Sequence, residues 1–243
     1  MYNIGILTNF DDKLLPFLIK KVHKLKNINF YLILSKTKKN KAKSLKIFKE
    51  RTGDYFLKHS FDLFNLNIKL PIYLVESHNS KDFHKLIKDK NIKFLYNSGT
   101  PNKITKNTLK KVKGVINIHP GILPYYQGCT CVEWTLSNND PLGVTAHFMD
   151  EGFDSGPIIQ NKFLKFKEKD IKEYKDKRIK IFLLSFELAK IIFQKINNKD
   201  IKSSKQDSYA ARYYNVIKDR DLLSIKRKIK NKSYKFNKKN LIR

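Results

Sequence analysis

Short apolar runs alternate with amphipathic stretches of helical length along the first half of the chain, and this order restricts the fold more than any other feature. "NIGILT" (Asn3–Thr8), "NFYLILS", "PIYLVES" and "IKFLYNS" have the length and the β-branched or aromatic content of strands. A helical pattern between the first two starts near Asp12 and puts Leu14, Leu15, Leu18, Ile19 and Val22 on one side. "KAKSLKIFKER" and "SKDFHKLIKDK" are helix-like in the same way. Strand–helix alternation predicts an α/β fold: a Rossmann-like, mostly parallel sheet with helices on both faces. Ligands of such sheets bind at the carboxyl ends of the strands.

The second half continues with strand-like "GVINIH", a short helix in "TCVEWTLSNND" ended by Asn139–Asp140–Pro141, and strand-like "GVTAHFMD" and "GPIIQNKFLKF". A long helical pattern runs from about Asp170 to Asn197, with Ile179, Phe182, Leu183, Phe186 and Ala189 at helical spacing. This divides the chain into a catalytic domain, residues 1–200, and a short basic, aromatic C-terminal extension, residues 201–243. Tyr209, Tyr213, Tyr214, Tyr234 and Phe236 punctuate the extension, which could form a hairpin or the contact of a homodimer.

One window breaks the composition. The chain has 51 Lys and Arg, yet none falls between Gly114 and Gln160, where six of the nine glycines, four of the seven prolines, both cysteines and the single tryptophan collect. The net charge of +29 suits a polyanion partner. Only six of the cations are arginines, however, and lysine is spread along the whole length, so the charge reads as a lysine-rich background and nucleic acid is not expected as a partner. "MYNIGILTNF" has no charged secretory n-region, and no apolar run approaches the roughly 20 residues that span a bilayer. Cys129 and Cys131 are too close for an easy disulfide. A cytoplasmic protein without membrane insertion follows from these features.

Within the window, Asn117 and His119 alternate on a strand and so share a face at its carboxyl edge, where Pro120–Gly121 ends it. "DEGFDSGP" places acidic residues in a turn that Gly152 and Gly156 allow to bend sharply. An amide, an imidazole and a carboxylate such as Asp154 form a coherent set for acyl chemistry: oxyanion stabilisation, proton movement and orientation of the imidazole. Each also has a plain reading, as turn asparagine, packed histidine or turn aspartate. His147 reads equally as a second active-site histidine or a core one. The two histidines with Asp154 could ligate a metal, but no HExxH-like spacing supports that, and no metal is expected.

"NIHPGILPYYQG" followed by "GVTAHFMDEGFDSGPII" resembles the folate-dependent formyltransferase family, closely from Gly114 to Gln160 and only in strand–helix order over residues 1–113. The resemblance implies transfer of a formyl group from 10-formyltetrahydrofolate to a primary amine. Asn117, His119 and Asp154 take the catalytic positions: Asn117 and a protonated His119 stabilise the tetrahedral oxyanion, and Asp154 assists proton transfer. His147 falls where the purine-pathway members carry a histidine. The pterin is expected against Asp150, Glu151, Gly152 and Phe153, with Ser98, Gly99, Thr100 and Pro101 on the opposite side.

Departures from the family narrow the amine. "LTNFDD" stands where glycinamide ribonucleotide enzymes carry a Gly-rich phosphate loop. The residues after the long helix are too few for the tRNA-binding barrel of methionyl-tRNA enzymes, and the first strand leaves no place for the regulatory domain of a formyltetrahydrofolate hydrolase. The sugar N-formyltransferases remain, acting on a nucleotide-linked amino sugar for surface polysaccharide such as O-antigen. A dTDP-linked 4-amino-4,6-dideoxyglucose is the first expectation, ahead of a 3-amino isomer or a UDP-linked sugar. Asn9, Tyr125, Tyr126, Gln127 and His147 are the candidates to line its pocket. The non-enzyme alternative is a basic nucleic-acid binder on the same scaffold.

Overall fold

The computed structural model describes residues 1–37, 41–58, 70–165 and 173–234. Seven strands form one sheet in the order β3-β2-β1-β4-β5-β7-β8. The first five, β1 (Tyr2–Thr8), β2 (Ile28–Ser35), β3 (Ile72–Val75), β4 (Phe94–Asn97) and β5 (Gly114–His119), run parallel. β7 (Gly143–Phe148) and β8 (Ile158–Phe163) are antiparallel additions beside β5. The expected α/β architecture is present, with this antiparallel edge.

Side chains alternate along the parallel strands, so each supplies both faces. Ile4, Ile6, Phe94, Tyr96 and Ile116 pack against α1 (Leu15–Val22) and α7 (Tyr174–Asn197). Leu7, Ile33, Leu95 and Val115 face the other way, onto Phe83 and Ile87 of α4 (Lys81–Asp89). α1 begins at Leu15, inside its apolar pattern, and the Asp12 carboxylate accepts the Leu14 and Leu15 N–H groups at 3.0 and 3.1 Å. That arrangement satisfies donors left free at a helix start. α2 (Lys41–Thr52) and α3 (Tyr55–Lys58) follow β2, and α5 (Lys106–Leu109) follows β4. The first residues of the long helical pattern, from Asp170, lie outside the described residues; α7 itself begins at Tyr174.

α6 (Cys131–Ser137) is tied to α7 by a buried ion pair. Arg178 Nε donates to Glu133 Oε1 at 2.8 Å, its Nη2 bonds Oε2, and the Tyr174 hydroxyl also donates to Glu133. The C-terminal extension adds β9 (Tyr213–Tyr214), parallel to the two-residue β6 (Gln127–Gly128), and α8 (Asp219–Lys230). Its described residues pair with the window rather than with each other as a hairpin. Ile217, Ile225, Ile229 and Tyr234 join the core that holds α6 and α7. Phe236 lies outside the described residues.

Candidate active site

β4 runs parallel to β5 and β7 runs back antiparallel to it, and the register of the three sets the site. Asn97 of β4 pairs with Asn117 of β5, and Asn117 pairs with His147 of β7. A single line of hydrogen bonds fixes all three side chains. The Thr100 N–H donates to Asn97 Oδ1 at 3.0 Å, so the Asn97 amide nitrogen must face Asn117, donating to its Oδ1 at 3.1 Å. The Asn117 nitrogen is then turned to His147 Nε2 at 3.2 Å. His147 Nδ1, 2.9 Å from the Phe148 carbonyl, carries a proton because a carbonyl only accepts. The geometry thus makes His147 Nε2 the acceptor of the Asn117 N–H. The two earlier readings of His147 merge: it is 1% exposed, like a core residue, and touches the site.

His119 is 3% exposed and both of its ring nitrogens face acceptors. Nε2 lies 2.7 Å from the Tyr126 carbonyl, and Nδ1 lies 3.3 Å from Asp154 Oδ1. Both nitrogens therefore donate, which makes the ring an imidazolium. Burial alone would favour the neutral ring. The Asp154 carboxylate and the Cys131 thiol outweigh it and push the imidazole up to about 10. For Asp154, burial opposes ionisation, but His119 and the Gly128 N–H at 3.0 Å hold the carboxyl well below the usual range. Asp154 Oδ1 also stands 3.6 Å from His147 Nε2, so the carboxylate joins the two histidines. Asp154 adopts φ +58°, a left-handed conformation that Asp tolerates better than most residues.

A cleft of about 470 Å³ lies between α5 and the loop after β7, lined by Lys106, Leu109, Lys110, Met149, Asp150, Glu151 and Gly152; of the residues expected to hold a cofactor it takes in Asp150, Glu151 and Gly152, while Ser98, Gly99, Thr100 and Pro101 are not among its lining. Asp150 Oδ1 accepts the Gly152 N–H and the Ser155 hydroxyl, shaping the turn. Lys106 pairs with Glu151 at 2.7 Å, and Lys103 sits 4.7 Å over the exposed Phe153 ring. In the loop after β4, Ser98 donates to the half-buried Asp12 at 2.6 Å, and the Thr100 hydroxyl bonds His78 Nδ1 at 2.7 Å. Pro101 follows in the same loop.

The proposed pocket-lining residues are placed differently from one another. Asn9 binds the Gly99 carbonyl at 2.5 Å and the Asp11 N–H at 2.8 Å, joining the loops after β1 and β4. Tyr126 is buried, its ring stacked 5.2 Å from Tyr214, and it meets His119 through its carbonyl rather than its ring. Gln127 is buried against Gln206 at 3.0 Å. Tyr125 is half-buried. Sequence reasoning missed Asn97 and Gln206. The asparagine ending "YN" in β4, like that in β5, was the signal for Asn97. Among the described residues no group of three or more His, Cys, Asp or Glu is arranged to hold a metal ion, and no helix is long and apolar enough to cross a membrane.

A Rossmann-like sheet whose β5 sets an asparagine against His147 and a histidine against a loop carboxylate has the groups that acyl transfer requires. A model of the formyl transferase family matches residues 29–182, and the chain belongs to that family. It is similar to a methionyl-tRNA formyltransferase from Thermodesulfovibrio yellowstonii, 30% identical over 48% of this chain and 38% of that one. It is similar also to a GDP-perosamine N-formyltransferase from Brucella melitensis biotype 1, 35% identical over 38% of this chain and 36% of that one. The matches thus span well under half of these relatives' length. The fold resembles that of an N-formyltransferase from Helicobacter canadensis, solved with folinic acid and dTDP-3-aminofucose. The TM-score is 0.56 at 18% identity, over 91% of this chain and 72% of that one.

Proposed function

We propose that this protein is a cytoplasmic N-formyltransferase that moves a formyl group from 10-formyltetrahydrofolate to the amine of a nucleotide-linked amino sugar. The observation that carries the reading is the Asn117–His147–Asp154–His119 constellation, whose carboxylate stands on the same loop after β7 that lines a cleft with Asp150, Glu151 and Gly152. The cleft is large enough for a small-molecule site. Its Asp150–Gly152 turn offers backbone groups and carboxylates to the donor-rich edge of a pterin, and in this reading Phe153 and Ser98–Pro101 approach the bound folate from outside that cleft.

The folate supplies an activated one-carbon acyl group. Asn117 has one amide N–H on His147 and a second to offer to negative charge developing on an acyl oxygen. His119 keeps a positive charge beside that position, and the proton between its Nδ1 and Asp154 Oδ1 is the one the pair can move. Asp154 orients the ring and keeps it charged. The sugar N-formyltransferase reading draws support from the GDP-perosamine relative and the dTDP-sugar complex. Within it we favour a dTDP-linked 4-amino-4,6-dideoxyglucose serving O-antigen synthesis.

The test is an assay with 10-formyltetrahydrofolate against dTDP-, UDP- and GDP-linked amino sugars, glycinamide ribonucleotide and charged initiator tRNA, read by product mass. Formylation of a nucleotide sugar is expected. Turnover of the tRNA or the ribonucleotide with every sugar left unreacted would move the substrate class, and no transfer to any acceptor would end the formyltransferase reading.

A further inference from the structure

Residues 202–209 run along the back of the catalytic loop, and within that stretch Gln206 alone is not exposed. Its side-chain nitrogen donates to the carbonyls of Asp154 and Gly156, both at 2.7 Å, and its Oε1 accepts from Gln127 at 3.0 Å. Two acceptors on one nitrogen leave no ambiguity in the orientation of the amide. The backbone it grips is a demanding one. Asp154 has φ +58°, and a Cβ at Gly156 would stand 1.9 Å from the Phe148 carbonyl oxygen. Next to Gln206, Ser204 exchanges two backbone hydrogen bonds of 2.8 Å with Ile158, just beyond the same loop.

The side chain of Asp154 is held from the same quarter. Gly128, whose N–H meets Asp154 Oδ2, belongs to β6, and β6 is anchored by β9: Gln127 N–H to the Arg212 carbonyl at 2.9 Å, Cys129 N–H to the Tyr214 carbonyl at 2.8 Å. We propose that the C-terminal extension is a clamp on the catalytic loop and that Gln206 is a positioning residue, setting the Asp154 carboxylate against His119 through the loop backbone. The inference deepens the formyltransferase reading and rests on it for its kinetic consequences, while its structural consequence is independent of any substrate.

Gln206→Glu tests it, because a carboxylate of the same shape cannot donate to either carbonyl. His119 is faced by Asp154 from the β7–β8 loop and by Cys131 from α6, with His147 of β7 across Asp154. Displacing Asp154 leaves burial to dominate. NMR of the His119 ring in the full chain should therefore show its titration moving to lower pH, and the alkaline limb of kcat should follow. With the acceptor found in the substrate panel, kcat should fall by about tenfold or more with KM values little changed, as expected for a slightly misplaced catalytic group.

A folded Gln206→Glu protein with an unmoved His119 titration would overturn the clamp. If that variant does not fold, Gln127→Glu carries the same test: it cannot donate to Gln206 Oε1 and should shift His119 in the same direction, and no shift again overturns the proposal. Should the wild type formylate nothing while His119 still shifts, the clamp stands and only the reaction is misread.

Discussion

Asn97 donates its side-chain amide to the Oδ1 of Asn117 across the β4–β5 pair, at 3.1 Å. The contact decides which end of the Asn117 amide is a donor in the site. The Thr100 N–H fixes Asn97 in turn, so the orientation of the Asn117 amide is written into the backbone of the loop after β4.

Asn97→Asp should therefore act on Asn117 without changing the fold. Aspartate still accepts the Thr100 N–H, but it cannot donate to Asn117 and repels its oxygen. Removing an oriented oxyanion donor costs about 10²–10³ in kcat, and a misoriented one should approach the lower figure. Asn97→Asp added to Asn117→Ala should bring little further loss, because both act on one amide. Additive losses in that cycle would separate the two residues.

His119→Asn should remove most turnover while folate still binds, by about the 10²–10⁴ typical of acid–base assistance. Stability supplies a second readout. In the fold His119 is pushed up to about 10, above the ordinary 6.5 of a histidine. Its contribution is thus fully present below 6.5 and disappears as pH rises through 10. Melting temperatures of wild type and His119→Asn should converge over that window. A gap that stays constant with pH would mean the ring is not charged in the fold.

Arg178→Met should be among the most damaging substitutions away from the site. It leaves the Glu133 carboxylate buried, 1% exposed at its side chain, with its main partner gone. Breaking a buried pair from one side costs about 3–5 kcal/mol, whereas Glu133→Leu with Arg178→Met removes both charges and should recover much of that loss. Denaturant unfolding of the single and double variants checks the difference.

The alternation of strands and helices was legible because period-two and helical patterns are local, and Asn117 and His119 share a face by the same local rule. What escaped reading depends on contacts remote in sequence. The asparagines of β4 and β5 meet only once the register of two parallel strands is set, and no short turn sets it. The reversal of β7 and β8 hides inside a window whose turns could serve either direction. Gln206 looks like any polar residue in a basic tail until the loop at Asp154 lies over it. Tyr126 reads from sequence only as a candidate to line the substrate pocket, while the atom that meets His119 is its carbonyl oxygen, which belongs to no residue type.

Asp154→Asn separates charge from shape. Asparagine accepts the Gly128 N–H as aspartate does, and it is one of the few residues at ease near φ +58°. The loop should therefore keep its course, with Gln206 still holding the carbonyls of residues 154 and 156. The charge beside His119 is lost. Burial then favours the neutral ring, and the pair can no longer keep a proton between Nδ1 and the loop at neutral pH. If that proton serves the reaction, turnover should drop by about 10²–10⁴. The lost ion pair should also lower the melting temperature near pH 7, by about 2–4 °C for each kcal/mol in a chain of this size, with the deficit closing toward pH 10. The two measurements belong together on one preparation. A folded Asp154→Asn protein that keeps more than about a third of wild-type turnover, far above the range expected for lost acid–base assistance, would make Asp154 a turn residue and leave His119 to work without it.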